Sequence, residues 1–393
     1  MKTKLTLLAL LLALAACQPA EGPDPFAYVC TVPAPDSVGA HPQVLELQQL
    51  LETAVAEGTP GVVAYVRTPD QRSWLGAAGM ASLGQQAPME PCHRMLVASV
   101  SKVFVATAIF QLIEQGALSL NDPLGDHLQG EYMNRIRNAK VVTIRQLLNH
   151  TSGLYDYLDP IRFALWSLQK PFETASVLDR LALAYDRAPT HEPGATYYYS
   201  NTNFVLLGLL VEELSGLTLE DYMDAHLFAP LGLTSAVMGT VENPIPTGVP
   251  EGYLALQDRE LLQPSRFFYG NDLATGDGGI AIRMDDLGIF LAEVFAGDLL
   301  TPATRTAMQQ AFELPDDWQG GYHTYNAQGI EIFDTPYGRA LGHTGAIGGF
   351  LTTAWYFIET GAIITHSVNG VSPRIEEARW QLTNDLLEAV FAE

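Results

Sequence analysis

The sequence contains Ser-x-x-Lys twice, at Ser99–Lys102 and at Ser167–Lys170. Residues three apart share one face of a helix, so the lysine amine would lie beside the serine hydroxyl. Such a lysine can accept the hydroxyl proton, provided burial or a neighbouring cation lowers its pKa. Pro171 follows Lys170, which indicates a solvated lysine in a last helical turn. Because Ser99 and Lys102 open an apolar stretch, we predict that Ser99 is a nucleophile.

Two further short motifs carry groups of the right chemistry. Tyr-x-Asn occurs three times, but only Tyr199–Asn201 follows a Pro-Gly turn and precedes a predicted helix. The other two copies, at Tyr132 and Tyr269, are explained by turn chemistry. His343 begins His-Thr-Gly, where glycines would let a substrate backbone lie against a strand edge. A single histidine is more often structural, and its neighbours give this one its interest.

The motifs of several competing enzyme classes are absent. Neither HExxH nor CxxC occurs, and the Gly-x-Ser-x-Gly elbow of α/β-hydrolases is also missing. A side-chain nucleophile is therefore the simplest expectation. The chain carries 44 acidic against 21 basic residues, a formal net charge of -23. This charge argues against binding nucleic acid, since phosphates would be repelled.

The N-terminus resembles a bacterial export signal. Residues 1–16 combine a basic start with a short apolar run, and Cys17 follows Leu-Ala-Ala, as in the lipobox of lipoproteins. An ordinary signal peptide with an incidental cysteine is the alternative. We expect a lipid anchor at Cys17, a tether over residues 17–42 and a location facing the periplasm. Cys30 and Cys92 are a possible disulfide, or two separate thiols.

The remaining elements suggest one large body over residues 43–393. Apolar periodicity predicts helices over 43–56, 97–115, 203–214, 218–226, 284–295 and 373–392. Predicted strands cluster near both ends of this body. We therefore expect an α+β fold, with a sheet part from about 43–98 and 320–393 and a helical part of about 99–319.

Taken together, the motifs resemble those of penicillin-recognising serine enzymes. Ser99-x-x-Lys102, Tyr199-x-Asn201 and His343-Thr344-Gly345 match in order and spacing the motifs of class C β-lactamases, Streptomyces-type D-Ala-D-Ala carboxypeptidases and related esterases and D-aminopeptidases. Residues 147–154 and 276–280 resemble further family segments. The resemblance implies a mostly antiparallel sheet flanked by helices, an inserted helical domain and a site at their junction that needs no metal and no organic cofactor.

The resemblance also implies a role for each residue. Ser99 would form an acyl-enzyme, with Lys102 taking its proton and Tyr199 passing a proton to the leaving group. Asn201 would hold the substrate's amide carbonyl. The oxyanion hole would consist of the backbone N–H groups of Ser99 and Ala346.

Two departures from the family pattern bear on the substrate. His343 stands where class C β-lactamases carry lysine, which favours the carboxypeptidase and esterase branches. Ala346 lacks the hydroxyl that some carboxypeptidases use for a terminal carboxylate, and Arg339 could supply a cation instead. We predict an exported, penicillin-reactive serine hydrolase that acts through an acyl-enzyme on D-Ala-D-Ala-like peptides, small amides or esters. A β-lactamase, a carboxylesterase and an inactive envelope-binding lipoprotein are the alternatives.

Overall fold

The structure is a computed structural model of the 393-residue chain. It describes residues 30, 41–159, 162–163, 165–166, 175–240, 247–255, 262–264, 275–312 and 318–391. The predicted signal peptide, Cys17, most of the tether, the second Ser-x-x-Lys and the Tyr269 motif lie outside the described residues.

Nine of the described strands form one antiparallel sheet built from both ends of the chain. Its order is β3-β2-β1-β14-β13-β12-β11-β10-β9. The strands are β1 Gly61–Arg67, β2 Ser73–Ser82, β3 Ala87–Pro88, β9 Trp318–Gln319, β10 Tyr322–Asn326, β11 Glu331–Thr335, β12 Gly338–Ile347, β13 Phe350–Phe357 and β14 Ile363–Val368. The expected α+β fold with a large antiparallel sheet is confirmed.

Two small sheets connect this sheet to the helices. Antiparallel strands in the order β4-β8-β5 form the first, and β15-β6-β7 form the second, with β15 parallel to β6. They comprise β4 Met95–Leu96, β5 Val237–Met238, β6 Tyr253–Ala255, β7 Leu262–Pro264, β8 Ile280–Ile282 and β15 Gly370–Val371.

The helices flank the sheet and fill the middle of the chain. A 3₁₀ turn, Ala98–Val100, precedes the helix that begins at Ser101, and a π-helical turn, Asp224–Phe228, follows the helix that ends at Met223. The α-helices are α1 Val44–Ala56, α2 Ser101–Glu114, α3 Glu131–Arg135, α4 Ile144–Leu148, α5 Val177–Ala182, α6 Asn201–Ser215, α7 Leu219–Met223, α8 Ala229–Leu231, α9 Met284–Phe295, α10 Pro302–Met308 and α11 Pro373–Phe391.

Strand β1 shows why its sequence is a continuous apolar run. Val62, Ala64 and Val66 face one hydrophobic core, while Val63 and Tyr65 face the other. Side chains alternate between the two faces of a strand, so a strand buried on both faces is apolar at every position. Helices α1 and α11 cover the first face.

Helix α9 shifts the expected division of the chain. It falls within the predicted helical part at 99–319 but packs against the sheet. The Thr365 hydroxyl on β14 donates a hydrogen bond to the Met284 carbonyl at 2.7 Å. Gly288 lies so close to Tyr65 that an added Cβ would come within 2.6 Å of its ring. Helix α9 therefore packs with the sheet part, although the sequence placed it in the helical part.

Cys30 and Cys92 form a disulfide across 62 residues. The bond fixes the middle of the predicted tether, at residue 30, beside the segment that leads into β4. The Glu90 carboxylate lies next to the disulfide, with both sulfurs within 3.5 Å of its Oε2.

No single helix among the described residues is both long and apolar enough to cross a membrane. One pair, Asn201–Ser215 with Leu219–Leu231, passes that test by length and composition, but it is bent by 77°.

Candidate active site

The predicted nucleophile lies in a 3₁₀ turn ahead of helix α2. The sequence predicted one helix over 97–115, whereas the α-helix begins at Ser101 and Ser99 belongs to the turn Ala98–Val100. Ala98 has φ +52°, a left-handed conformation that is uncommon for alanine. The Val97 N–H donates to the Ile280 carbonyl of β8 at 3.0 Å instead of entering a helix. Because Val97 pairs with β8, the α-helix that carries Lys102 begins only after Ser99.

Lys102 is completely buried beside Ser99. Its Nζ lies 3.0 Å from Ser99 Oγ, 2.9 Å from Asn201 Oδ1 and 2.8 Å from the Asp277 carbonyl oxygen. A neutral amine has two hydrogens and one lone pair. Because Asn201 and Asp277 offer only acceptors here, they can take both hydrogens and leave the lone pair for the Ser99 hydroxyl.

Asn201 is held in the orientation that this arrangement requires. Its Nδ2 donates to Asp156 Oδ2 at 3.2 Å, and its backbone N–H donates to Asp156 Oδ1 at 3.0 Å. Asp156 therefore fixes which end of the amide faces Lys102. Asn201 was predicted to hold a substrate carbonyl, and its second Nδ2 hydrogen can do so. Sequence reasoning missed Asp156, which no local pattern distinguishes.

The surroundings of Lys102 make its amine a base near neutral pH. Burial lowers the pKa of Lys102 to about 8, and the negative charges of Asp277, Asp156 and Glu331 partly oppose that fall. A buried ammonium loses hydration, so the neutral form is favoured. Asp277 reaches the site because Gly276 contacts helix α6, where an added Cβ would lie 2.4 Å from the Phe204 carbonyl.

Tyr199 has the opposite character. Burial raises the pKa of Tyr199 well above 10, and a hydrogen bond with Ser99 only partly opposes this. Its ring stacks on His150 with centroids 4.2 Å apart, and Lys102 Nζ lies 5.1 Å from its centroid. The phenol is therefore protonated at neutral pH and can donate a proton. His150 belongs to residues 147–154, which resemble a family segment, and its stacking contact holds the Tyr199 ring in place.

Strand β12 presents an open edge beside Ser99. Pairing with β11 ends at Gly342, opposite Glu331, while pairing with β13 continues to Ile347. The Thr344 N–H points to the open side, where it donates to Glu331 Oε2 at 2.8 Å. Because N–H direction alternates along a strand, the Ala346 N–H points to the same side. This orientation suits the predicted oxyanion donor.

Gly345 allows this edge to approach the turn that holds Ser99. A Cβ at position 345 would lie 2.3 Å from the Val97 carbonyl oxygen and 3.2 Å from the Ala98 Cβ. Contacts below 3.0 Å require the backbone to move. A side chain at this position would therefore push β12 away from the turn that holds Ser99.

His343 is buried and lies next to Glu331. Its Nδ1 contacts the Thr344 carbonyl oxygen and lies 3.6 Å from Glu331 Oε2. Burial lowers the pKa of His343, and the charge of Lys102 lowers it further, against the opposing effect of Glu331. The imidazole is therefore neutral at neutral pH, where class C β-lactamases have a lysine cation.

Two cavities meet at Ser99, Asn201, Leu158 and Ala346. The first, of about 570 Å³, extends along Tyr199, His343 and Thr344 to Glu331 and Arg379. The second, of about 350 Å³, has a more apolar wall. That wall includes Tyr157, Phe163, Leu254, Ile347 and Val371.

Arg339 does not lie in either cavity. It stands near the start of β12, four residues before His343 and so about 13 Å along the strand. Its half-exposed guanidinium pairs with Asp334 on β11 at 2.9 Å. The prediction that Arg339 supplies a cation to the site is therefore wrong. Arg379 of helix α11 lines the first cavity instead, and nothing near it in the sequence indicated that placement.

Comparisons with known proteins show the family of the chain. A family model described as Beta-lactamase matches residues 47–388. The chain belongs to this family.

Similar proteins carry several activities in their names. The chain is 35% identical to Penicillin-binding protein 4* of Bacillus subtilis over 39% of its own length and 33% of that protein. It is 27% identical to a D-aminopeptidase of Brucella anthropi, over 76% of its length and 54% of that protein. The chain thus spans about half or less of these curated relatives. A solved D-stereospecific amidohydrolase from Streptomyces sp. has TM-score 0.72 and 26% identity, covering 88% of this chain and 98% of that one.

Proposed function

We propose that this protein is an exported, lipid-anchored hydrolase that forms an acyl-enzyme on Ser99 with small amides, esters or D-configured peptides. The contact set of Lys102 carries the proposal, because its buried amine lies 3.0 Å from the Ser99 hydroxyl and is otherwise surrounded by acceptors. D-configured substrates are suggested by the names of the D-aminopeptidase and the D-stereospecific amidohydrolase.

The acylation step follows from the protonation states. Neutral Lys102 takes the Ser99 proton as Oγ attacks the substrate carbonyl carbon. The developing oxyanion accepts hydrogen bonds from backbone N–H groups, of which Ala346 has the required direction. Tyr199 donates its proton to the leaving nitrogen or oxygen as that bond breaks, and Lys102 can return a proton to the phenolate.

The placement of Tyr199 assigns a role to each cavity. The proton donor must lie beside the leaving group, and Tyr199 lines only the first cavity. The leaving group therefore occupies the first cavity, and the acyl group occupies the second. A substrate backbone running between them would lie along the open edge of β12, in the manner of an added strand.

Deacylation requires water to reach the same carbonyl carbon. Once the leaving group departs, the first cavity can hold water next to Tyr199 and Lys102. Lys102 at a pKa of about 8 can accept a proton from that water as the water oxygen attacks the acyl carbon. The bond between that carbon and Ser99 Oγ then breaks, and Lys102 returns the proton to Oγ, which releases the acid and restores the serine hydroxyl. The same groups thus support both halves of a hydrolytic cycle.

Intact mass spectrometry tests the proposal. The purified protein and its Ser99→Ala variant are incubated with a fluorophosphonate and with a penicillin. The proposal expects a phosphonate adduct on the wild-type protein and none on the variant. A lasting penicilloyl adduct would indicate a carboxypeptidase-like enzyme, and hydrolysed penicillin without an adduct would indicate a β-lactamase. If no reagent adds mass and no penicillin is hydrolysed, the inactive binding protein becomes the better interpretation.

The lipid anchor has a separate test. Cell fractionation of the full chain and a Cys17→Ser variant compares membrane with soluble fractions. We expect the wild-type protein in membranes and the variant in the soluble periplasmic fraction. Equal distribution of the two would contradict an anchor at Cys17.

A further inference from the structure

The charges of the first cavity limit which leaving groups it can hold. Its charged wall comprises Glu331 and Glu376 against one cation, Arg379. The whole chain carries a formal net charge of -23, so no distant excess of cations offsets this local balance.

Arg379 is already engaged. Its Nη1 donates to Thr353 Oγ1 at 2.9 Å and its Nη2 pairs with Glu376 Oε1 at 2.5 Å. The residue is only 3% exposed, and its Nε is buried away from the cavity surface. An arginine that anchors a carboxylate presents two N–H groups to it side by side. Arg379 presents its fork to Glu376 and Thr353, so the substrate would have to displace them.

Glu331 already binds the hydrogen-bond donors of the first cavity that a leaving-group carboxylate would need. Its Oε2 accepts from the Thr344 N–H at 2.8 Å and lies 3.1 Å from the Thr344 hydroxyl. Its Oε1 accepts from Gln319 Nε2 at 3.0 Å. The donors of the strand edge at Thr344 are thus taken by a protein carboxylate. A second carboxylate there would meet like charge and find the donors occupied.

We infer that the leaving-group cavity selects uncharged leaving groups and rejects those with a free carboxylate, with Glu331 as the specificity-determining residue. This inference rests on the proposed function and narrows its substrates. Amides, esters and peptides continuing beyond the cleaved bond are favoured over peptides that end in a free carboxylate one residue later. Neutral His343 supports the inference, because it offers no cation to balance the substrate.

A pair of matched esters tests this directly. Methyl 3-acetoxybenzoate and 3-acetoxybenzoate give the same acetyl-enzyme, and their leaving phenols differ mainly in the carboxylate. The ratio of their kcat/KM values, corrected for their rates with hydroxide, reports mainly the charge of the leaving group. We expect the methyl ester to be preferred by about tenfold or more, since like-charge juxtaposition is strongly unfavourable. A ratio near one, or a preference for the carboxylate, would overturn the inference.

Variants then identify the responsible group. Glu331→Gln retains the size and an acceptor oxygen but removes the charge, so it should reduce the ratio several-fold. Glu376→Gln, at a partly exposed position on helix α11, should also reduce it by leaving Arg379 less neutralised. Asp334→Asn is the matched control. Asp334 lies on β11, the strand of Glu331, but its partly exposed carboxylate lies outside both cavities.

The outcomes separate the two proposals. If the wild-type protein is selective but neither glutamate variant changes the ratio, Glu331 is not the specificity determinant. If Asp334→Asn reduces the ratio equally, the selectivity comes from general charge and the assignment to Glu331 is wrong. If neither ester is hydrolysed and no fluorophosphonate labels Ser99, the proposed function itself fails and this inference fails with it.

Discussion

The lowered pKa of Lys102 predicts how the reactivity of Ser99 depends on pH. With a pKa of about 8, roughly a tenth of the amine is neutral at pH 7, about half at pH 8 and about nine-tenths at pH 9. Only the neutral form can accept the Ser99 proton. The second-order rate constant for labelling Ser99 should therefore rise about fivefold between pH 7 and pH 8, and about twofold more by pH 9.

Other candidate bases would give different profiles. Burial lowers the pKa values of His150 and His343 from 6.5, so a histidine base would give a flat rate above pH 7. A lysine with its ordinary value of 10.5 would give a rate rising about tenfold per unit through pH 9. The midpoint near pH 8 thus distinguishes a buried lysine from both.

The assay uses a fluorophosphonate, since its reactivity does not itself titrate in this range. Labelling rates are measured by gel fluorescence from pH 6 to pH 10 and corrected for reagent hydrolysis. Asp277→Asn should move the midpoint below 8, because the Asp277 charge raises the pKa of Lys102. An asparagine oxygen can still accept from the Tyr157 hydroxyl, which preserves the fold around the Asp277 carbonyl. A flat profile, or a midpoint that rises in Asp277→Asn, would refute Lys102 as the base.

Three further predictions concern the nucleophile, the strand edge and the disulfide. Ser99→Ala should lower kcat by a factor of about 10³ or more in ester hydrolysis while leaving the circular dichroism spectrum unchanged. Gly345→Ala should lower kcat/KM by about 10- to 100-fold, since an added Cβ would lie 2.3 Å from a backbone carbonyl oxygen. Gly84→Ala, with open space around its Cβ, is its control, and equal activity in the two variants would contradict this packing argument. Replacing Cys30 and Cys92 by serine should lower the free energy of unfolding by up to about 4 kcal/mol, measured by urea denaturation. An unchanged midpoint would show that closing the 62-residue loop constrains the unfolded chain little.

The sequence predicted which side chains of the candidate site lie together, because their spacing is largely local. Ser99 and Lys102 are one helical turn apart, and Tyr199 and Asn201 stand at the start of a periodic helix. A lysine is rare enough in this chain that its position among apolar residues was informative. The structure brings all four together with His343, as the motif spacing indicated.

The electrostatic surroundings could not be predicted in the same way. Asp156, Glu331 and Arg379 reach the site through tertiary contacts, and none stands in a short motif. Arg339 shows the opposite error, since proximity in sequence to His343 suggested a role that strand geometry rules out. Its cross-strand partner, Asp334, lies directly opposite in the β11–β12 register and accounts for its charge.

The prediction that Ser99 lies in an α-helix was wrong for a related reason. Apolar periodicity continues from Val97 into helix α2, so the pattern gave no sign of the left-handed residue at Ala98. The break follows from the hydrogen bond of Val97 to strand β8, a partner 183 residues further along the chain. Backbone strain of this kind persists only where the surrounding structure enforces it. Here β8 on one side and Gly345 on the other enforce it, which places the strain at the residue before the nucleophile.

The same reasoning explains how one scaffold can support different substrates. The groups around Lys102 lie on α2, on α6 and in the loop holding Asp277, and Lys102 in turn contacts the Ser99 hydroxyl. The groups that meet the leaving group lie on β11, β12 and α11. Burial is the largest influence on the pKa of Lys102, and the charge of Glu331 is the smallest of the three that oppose it. Changes at Glu331 or Arg379 can therefore alter the accepted leaving group while the pKa of Lys102 stays low. Substrate choice in this protein is therefore expected to follow the charges of the first cavity more closely than the motif that carries the nucleophile.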